Sequence, residues 1–312
     1  MSARSFVVGT RGSKLALRQT EIASQALTAA NAGVALEART IQTEGDRSTA
    51  SLSAIGGRGV FVIEIEQALL RGEIDIAVHS LKDLPSEETP GLTIAAMLPR
   101  EDPRDALVAK DGRRLHDLGT GAIVGTGSPR RACQVLALRP GLQVRDIRGN
   151  VDTRLRKVQD GEYDAVVLAA AGLTRLGWLD RASQIFAPGD VLPAVGQGVL
   201  AVQVRSDDPE ALAVAAAADD PASRAAASAE RAFERRLGGG CSAAIAAYAT
   251  VGRGPNAGRA PLVLRALVGE SAGGRLLKGE MSGVASEADM LGVRMAEYLI
   301  AQGAEELLGA AP

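Results

Sequence analysis

Apolar and polar positions along the chain fall into short blocks with regular punctuation. Ser5-Phe6-Val7-Val8 is a β-prone run broken by Gly9-Thr10-Arg11-Gly12. Ser13 then stands where an N-cap belongs, ahead of a helix predicted over 14–30. A second strand is expected over 34–43, followed by a long polar, glycine-rich loop over 44–59. Residues 61–71 read as a helix with Phe61, Ile65, Ala68 and Leu69 on one face, stopped by Gly72. Residues 74–80 read as a buried strand that runs into the loop Leu81-Lys82-Asp83-Leu84-Pro85.

The pattern then returns. A strand is expected over 122–126, and Ser128 with Pro129 opens a helix. Next come a strand over 144–148, a Gly149-Asn150 turn and cap, a helix over 151–159 and a buried strand over 164–169. Val8-Gly9-Thr10 with Gly12-Ser13 matches Val124-Gly125-Thr126 with Gly127-Ser128, and Gly72-Glu73-Ile74-Asp75 matches Gly161-Glu162-Tyr163-Asp164. This predicts two duplicated α/β lobes with mostly parallel sheets. A third region of α+β type begins near Pro221. It has a helix over 222–237, a stop at Gly238-Gly239-Gly240-Cys241, strands over 262–269 and 276–283, and a Ser286-Glu287-Ala288-Asp289 capping box before a helix over 288–302.

Charge narrows the function. The net charge is -2, which argues against a nucleic-acid partner, and aromatics at 3% give no base-stacking platform. No apolar run approaches the roughly 20 residues of a spanning helix, and the N-terminus shows no signal peptide, so a cytoplasmic protein with no membrane partner is expected. Two separate thiols, Cys133 and Cys241, are then expected to stay reduced, and the isolated His79 and His116 suggest no metal.

Three helix starts, at Ser13, Ser128 and Asn150, each carry neighbouring arginine: Arg11, then Arg130 and Arg131, then Arg148 and Arg154. Free N–H groups at a helix start favour an anion, and guanidinium forks match carboxylate or phosphate. Clustered arginine in a near-neutral chain points to a small polyanion in a cleft between lobes. Solvated arginines, or pairs with Asp146 and Asp152, are the plainer alternative. Asp83 at the end of a buried strand is either an acid-base or cation-stabilising carboxylate or a turn former, and the residues alone leave these even. Cys241 after a glycine run is either an attachment point or a small buried residue; for Cys133, within a helix, burial is the stronger reading.

The ordered motifs resemble the porphobilinogen deaminase (hydroxymethylbilane synthase) family. They are Thr10-Arg11-Gly12-Ser13-Lys14-Leu15, Gly56-Gly57-Arg58-Gly59, Val78-His79-Ser80-Leu81-Lys82-Asp83-Leu84-Pro85 and Arg100-Glu101-Asp102-Pro103-Arg104-Asp105-Ala106. Further along are Gly127-Ser128-Pro129-Arg130-Arg131, Arg148-Gly149-Asn150-Val151-Asp152-Thr153-Arg154, Ala171-Gly172-Leu173-Thr174-Arg175, Val195-Gly196-Gln197-Gly198 and Gly239-Gly240-Cys241. Arg58 stands where the family often has Lys, and Ala244 where Pro often follows the Cys.

The resemblance implies two lobes like type II periplasmic binding proteins plus an α+β domain, divided as 1–98 with 199–217, 99–198, and 218–312. It implies a monomeric transferase of tetrapyrrole biosynthesis that joins four porphobilinogen molecules, releasing ammonia, on a dipyrromethane cofactor held by a thioether to Cys241. Asp83 falls on the family's catalytic position, where it stabilises pyrrole nitrogens and the cationic azafulvene left when ammonia departs. Lys82, Asp83, Ser128, Arg130 and Arg131 fall on cofactor contacts. Arg11, Ser13, Arg148, Arg154 and Arg175 fall on substrate contacts. A non-enzymatic solute-binding protein and a transferase of phosphate-bearing substrates are the rival readings.

Overall fold

A computed structural model describes residues 4–41, 62–238, 244–253, 257–270 and 273–309. The Gly56–Gly59 motif with Arg58, Phe61, and the Gly239-Gly240-Cys241 stretch lie outside the described residues. The chain divides into two compact units, residues 1–101 with 199–225 and residues 102–198 with 226–312.

The first unit is built on β1 (Ser5–Thr10), α1 (Lys14–Ala30), β2 (Ala35–Thr40), α2 (Ile63–Leu70), β3 (Ile76–Ser80), β4 (Leu92–Met97) and, from the returning chain, β10 (Leu200–Arg205) and α6 (Pro209–Ala216). Its sheet runs β2-β1-β3-β10-β4. Phe6, Val8, Ile76, Val78 and Val202 pack on Ala23 and Leu27 of α1, while Ala77 of the opposite face packs on Ile65, Ala68 and Leu69 of α2. Alternating strand residues therefore bury both faces, which is why β3 reads as a continuous apolar run.

The second unit repeats this plan. It has β5 (Asp105–Ala109), β6 (Ile123–Gly125), α3 (Pro129–Leu138), β7 (Gln143–Arg145), α4 (Val151–Gln159), β8 (Ala165–Ala169), α5 (Ala170–Arg175) and β9 (Gln184–Ile185), with sheet order β7-β6-β8-β5-β9. The equivalence extends to single residues. Val8 and Gly9 pair with Ile76 and Ala77 as Val124 and Gly125 pair with Ala165 and Val166. Helices α2 and α4 both end in a positive-φ glycine, Gly72 (67°) and Gly161 (82°). In each, the residue after that glycine donates its N–H back to the last turn, Glu73 to Ala68 O and Glu162 to Lys157 O, both at 3.0 Å. Asp75 then accepts the Val7 N–H at 2.8 Å, and Asp164 accepts the Ile123 N–H at 2.7 Å. A Cβ on Gly9 would collide with Ile74, and one on Gly125 would sit 2.9 Å from Tyr163, so each strand passes close to the side chain at the equivalent position of its Gly-Glu-x-Asp turn.

One expectation is refined and one is corrected. In each five-stranded sheet four strands run the same way, as expected, and one is reversed: β1 pairs parallel with β2 and β3, and β6 with β7 and β8, but β10 and β5 are antiparallel to both of their neighbours. The Ser286 capping box does not form. The chain stays tied to its sheet through the Ala285 N–H to Ala260 O (2.9 Å), turns through a 3-10 segment, and enters its helix with Glu287 at the cap position and no side-chain cap bond.

The remainder of the second unit is α+β. Helix α7 (Pro221–Leu237), the antiparallel sheet β11 (Ala244–Val251), β12 (Pro261–Gly269) and β13 (Leu276–Val284), and α8 (Ala288–Ile300) enclose a core around Phe233, Leu262, Leu264, Leu291 and Met295. Glu230 of α7 is fully buried and accepts the N–H groups of Gly196 and Ala249, both at 2.7 Å. The carboxylate thus ties the Val195–Gly198 turn to β11. Among the described residues, no helix is long and apolar enough to cross a membrane.

Candidate functional site

In the first unit, the chemistry gathers at the C-terminal ends of β1 and β3, the usual ligand end of an α/β sheet. Arg11 is half-buried beside the start of α1. Ser13 is the N-cap, and its Oγ accepts the Ala16 N–H at 3.3 Å. Beyond β3, residues 81–83 form a single 3-10 turn closed by the Leu84 N–H to Leu81 O at 3.1 Å. Leu81 is buried under the turn, and its N–H donates to Val199 O at 3.0 Å. Lys82 and Asp83 are half-buried. A turn-forming aspartate would spend its carboxylate on neighbouring backbone N–H groups. Asp83 does not: the turn closes backbone to backbone, and among the described residues its carboxylate takes no hydrogen bond or ion pair. Ser80, just before the turn, accepts the Gln19 Nε2 of α1 at 2.8 Å.

In the second unit, Ser128 holds the N-cap position of α3 with Pro129 at the first helical residue, as expected. Its hydroxyl makes no cap bond; instead its N–H donates to Thr126 Oγ1 at 3.1 Å. Arg130 and Arg131 are both buried around Asp105, which is wholly buried. Arg130 Nη1 reaches Asp105 at 2.7 Å and Leu192 O at 2.7 Å. Arg131 grips the other Asp105 oxygen through Nε (3.1 Å) and Nη2 (2.7 Å) and donates Nη1 to Val167 O at 3.0 Å. Gln197 Nε2 adds a bond to the same oxygen at 2.9 Å and another to Pro103 O at 2.6 Å.

Burial alone would push the Asp105 carboxyl up, but the Coulombic pull and hydrogen bonds of the two guanidiniums outweigh it and hold it well below the usual carboxylate range. Burial and the like charge of Arg131 push Arg130 down, and Asp105 opposes them. Two guanidiniums share one carboxylate, so the group carries a net positive charge at a helix start. Among the described residues, Nε and Nη2 of Arg130 take no protein acceptor.

The other arginines are less committed. Arg148, at a side-chain exposure of 29%, pairs with Asp146 at 2.9 Å, as the plainer reading anticipated. Arg154 donates Nε to Gly149 O at 2.8 Å, and Arg175 donates Nη2 to Gly198 O at 2.6 Å. Asn150 caps α4 by position only. Cys133 is buried among Leu192, Ala244, Ala246 and Leu267, with Sγ donating to Arg130 O at 3.3 Å; burial pushes its thiol up to about 11, so it is an inert packing residue. The residue reading of the chain missed Asp105 and Gln197 as partners of the arginine pair. Its one signal for Asp105 was a lone acid opening the apolar run Ala106–Ala109.

Two duplicated α/β lobes with arginine-bearing helix starts at their strand ends, followed by an α+β region, define a two-lobed α/β class of protein. The residue match is more specific. Residues 6–213 match the model of the porphobilinogen deaminase dipyrromethane-cofactor binding domain, and residues 225–301 match the porphobilinogen deaminase C-terminal domain. Porphobilinogen deaminases from Roseiflexus sp. (strain RS-1), Brevibacillus brevis and Thermus thermophilus are 49%, 48% and 47% identical, covering 98%, 96% and 98% of this chain and 99%, 96% and 98% of theirs. The chain belongs to the porphobilinogen deaminase family and is an enzyme of that family. Among solved structures, the periplasmic VFT2 domain of Bordetella pertussis BvgS aligns with 70% of this chain and 86% of that one at 14% identity and a TM-score of 0.42.

Proposed function

We propose that the chain joins four porphobilinogen molecules head to tail into hydroxymethylbilane, taking up one water and releasing four ammonia. The observation that carries this reading is the uncommitted carboxylate of Asp83 at the end of a buried strand. Loss of ammonia from the aminomethyl group of porphobilinogen leaves a cationic azafulvene, and its exocyclic carbon bonds to the free α-carbon of a terminal pyrrole, which then gives up a proton. A preorganised carboxylate stabilises that positive charge and the pyrrole N–H groups around it. Lys82, on the same turn, offers its ammonium to a carboxylate of the cofactor.

A dipyrromethane carries acetate and propionate side chains on each ring, so it needs a positive cradle with free donors. The Arg130–Arg131–Asp105 group, with its surplus positive charge and the unspent Ser128 hydroxyl, fits such a polycarboxylate. In this reading Lys82, Asp83, Ser128, Arg130 and Arg131 contact the cofactor, and Cys241 forms the thioether that holds it. When bound, the cofactor supplies a pyrrole with a free α-carbon as primer. Arg11, Ser13, Arg148, Arg154 and Arg175 bind carboxylates of substrate and growing chain. Charge-assisted bonds of this kind contribute about 1.5–3 kcal/mol each. We further infer a division into 1–98 with 199–217, 99–198 and 218–312, and a cytoplasmic monomer that binds neither nucleic acid nor membrane. The start of the C-terminal match at residue 225 supports the last boundary.

Asp83→Asn tests the reading. It keeps size and removes charge. Turnover falls by about 10²–10³ while the melting temperature stays within a degree or two. A folded variant within a few-fold of wild type would return Asp83 to a turn-forming role.

A further inference from the structure

One carboxylate of the second unit sits among the arginines and has no part in the function so far. Asp146 follows β7, and the backbone around it is held from two sides. The Thr126 N–H donates to Arg145 O at 3.0 Å, and the Tyr163 hydroxyl donates to Asp146 O at 2.6 Å. The half-exposed side chain lies against Gly127, where a Cβ would come 2.6 Å from Oδ1. Gly127 directly precedes Ser128, the N-cap residue of α3. The other oxygen, Oδ2, accepts Arg148 Nε at 2.9 Å. Among the described residues, Nη1 and Nη2 of Arg148 take no acceptor. The backbone and a glycine therefore place this carboxylate, and Arg148 comes to it.

The duplication supplies a control. Gly9 pairs with Arg39 as Gly125 pairs with Arg145, so the next residue, Thr40, is the counterpart of Asp146. The contact is repeated as well: a Cβ on Gly12, the glycine before Ser13, would lie 3.4 Å from Thr40 Cγ2. Ile74 stands in the place of Tyr163 and has no hydroxyl to donate. The same backbone thus accepts a neutral side chain at this position, and the fold does not need the charge. The acid occurs only in the lobe whose helix start carries Arg130 and Arg131 and whose next turn carries Arg148. A negative charge there weakens the hold of nearby guanidiniums on any other carboxylate.

We propose that Asp146 is an internal counter-ion that competes with carboxylates of the substrate and growing chain for Arg148, and so limits how tightly that chain is held. This rests on the reading of Arg148 given above. Every added unit brings further carboxylates, so an unopposed set of arginines would grip the chain more firmly at each step and release the product slowly. Growth requires the chain to move past its arginines. A half-exposed ion pair is weak enough to be exchanged for a substrate carboxylate and re-formed afterwards. Asp146 touches no reacting atom in this assignment and acts through Arg148.

The test replaces Asp146 by the residue of the first lobe, Asp146→Thr, and by its neutral isostere, Asp146→Asn. Arg148→Leu is made alone and together with Asp146→Thr. Both Asp146 variants should melt within a degree or two of wild type, because the side chain is half-exposed and no core packing is lost. KM for porphobilinogen should fall about two- to fivefold in both, the range of an exposed ion pair, with kcat no higher than wild type. The difference from wild type should shrink as ionic strength rises from about 0.05 to about 0.5 M, where screening is nearly complete. In the Arg148→Leu background, Asp146→Thr should no longer lower KM. Unchanged KM in the two folded variants would overturn the proposal. A KM raised by Asp146→Thr and spared by Asp146→Asn would overturn it too, since Asp146 would then only orient the guanidinium. Arg148→Leu alone separates the failures. If it leaves KM unchanged, the reading of Arg148 fails and this proposal with it; if it raises KM while Asp146→Thr does not lower it, only the competition fails.

Discussion

At the start of α1 the Ser13 hydroxyl is spent on its own helix, taking the Ala16 N–H, whereas at the equivalent start of α3 the Ser128 hydroxyl makes no cap bond. The buried charge is also distributed differently. The second unit concentrates it in one ion group, Asp105 between Arg130 and Arg131, at the N-terminal end of β5. The first unit has Leu200 at the register position matching Asp105, opposite Ser80 as Asp105 is opposite Ala169, and instead buries the neutral imidazole of His79 with Gln203 and Glu66. One backbone plan thus serves two chemistries. The second lobe stores surplus positive charge suited to carboxylates, and the first holds a free carboxylate on a short 3-10 turn suited to a cation.

The largest expected effect breaks the ion group. Asp105→Asn leaves two buried guanidiniums without a counter-ion and should cost about 3–5 kcal/mol in urea unfolding. Arg130→Leu leaves a balanced Arg131–Asp105 pair and should cost clearly less. If Arg130→Leu were the more damaging, the group would not carry surplus positive charge.

A pH series comes next. Burial lowers His79 from 6.5 to about 4, so between those values the unfolded chain binds a proton that the folded chain does not. Its contribution to stability is whole above pH 6.5 and is lost as pH falls to about 4, up to about 3 kcal/mol. The difference in unfolding free energy between wild type and His79→Leu should change with pH over that window and level off above it. A flat difference would mean that the imidazole titrates normally in the fold.

Removing the helix caps should separate the two lobes on a finer scale. Ser13→Ala should cost about 1 kcal/mol, and Ser128→Ala no more than a few tenths. Equal losses would contradict the difference in capping. Smallest in stability is Arg148→Leu, whose half-exposed pair with Asp146 contributes about 0–1 kcal/mol, so the melt should barely move while activity falls. Activity falling only in step with the melt would make Arg148 a structural ion-pair member.

Much of this was legible in the residues. The helices over Lys14–Ala30 and Val151–Gln159 follow from their caps and apolar spacing, and the duplication follows from Gly-Thr, Gly-Ser and Gly-Glu-x-Asp punctuation. The antiparallel direction of β10 was not legible, because strand direction depends on where a distant segment re-enters the sheet. The commitment of Arg130 and Arg131 to Asp105 was also hidden: a residue 25 positions earlier closes that group, and only the fold brings it there. His79 looked like an isolated histidine, and the strand that flanks it, β10 with Ala201 opposite it, comes more than a hundred positions later.

The central claim, that this chain builds a linear tetrapyrrole on a covalently held dipyrromethane, is tested most directly by the intact mass of the purified protein and its cysteine variants. Wild type and Cys133→Ser should both exceed their sequence mass by two pyrrole units, and Cys241→Ser should show no excess. A wild-type mass equal to that of the bare chain, or an excess that survives in Cys241→Ser, would contradict the account.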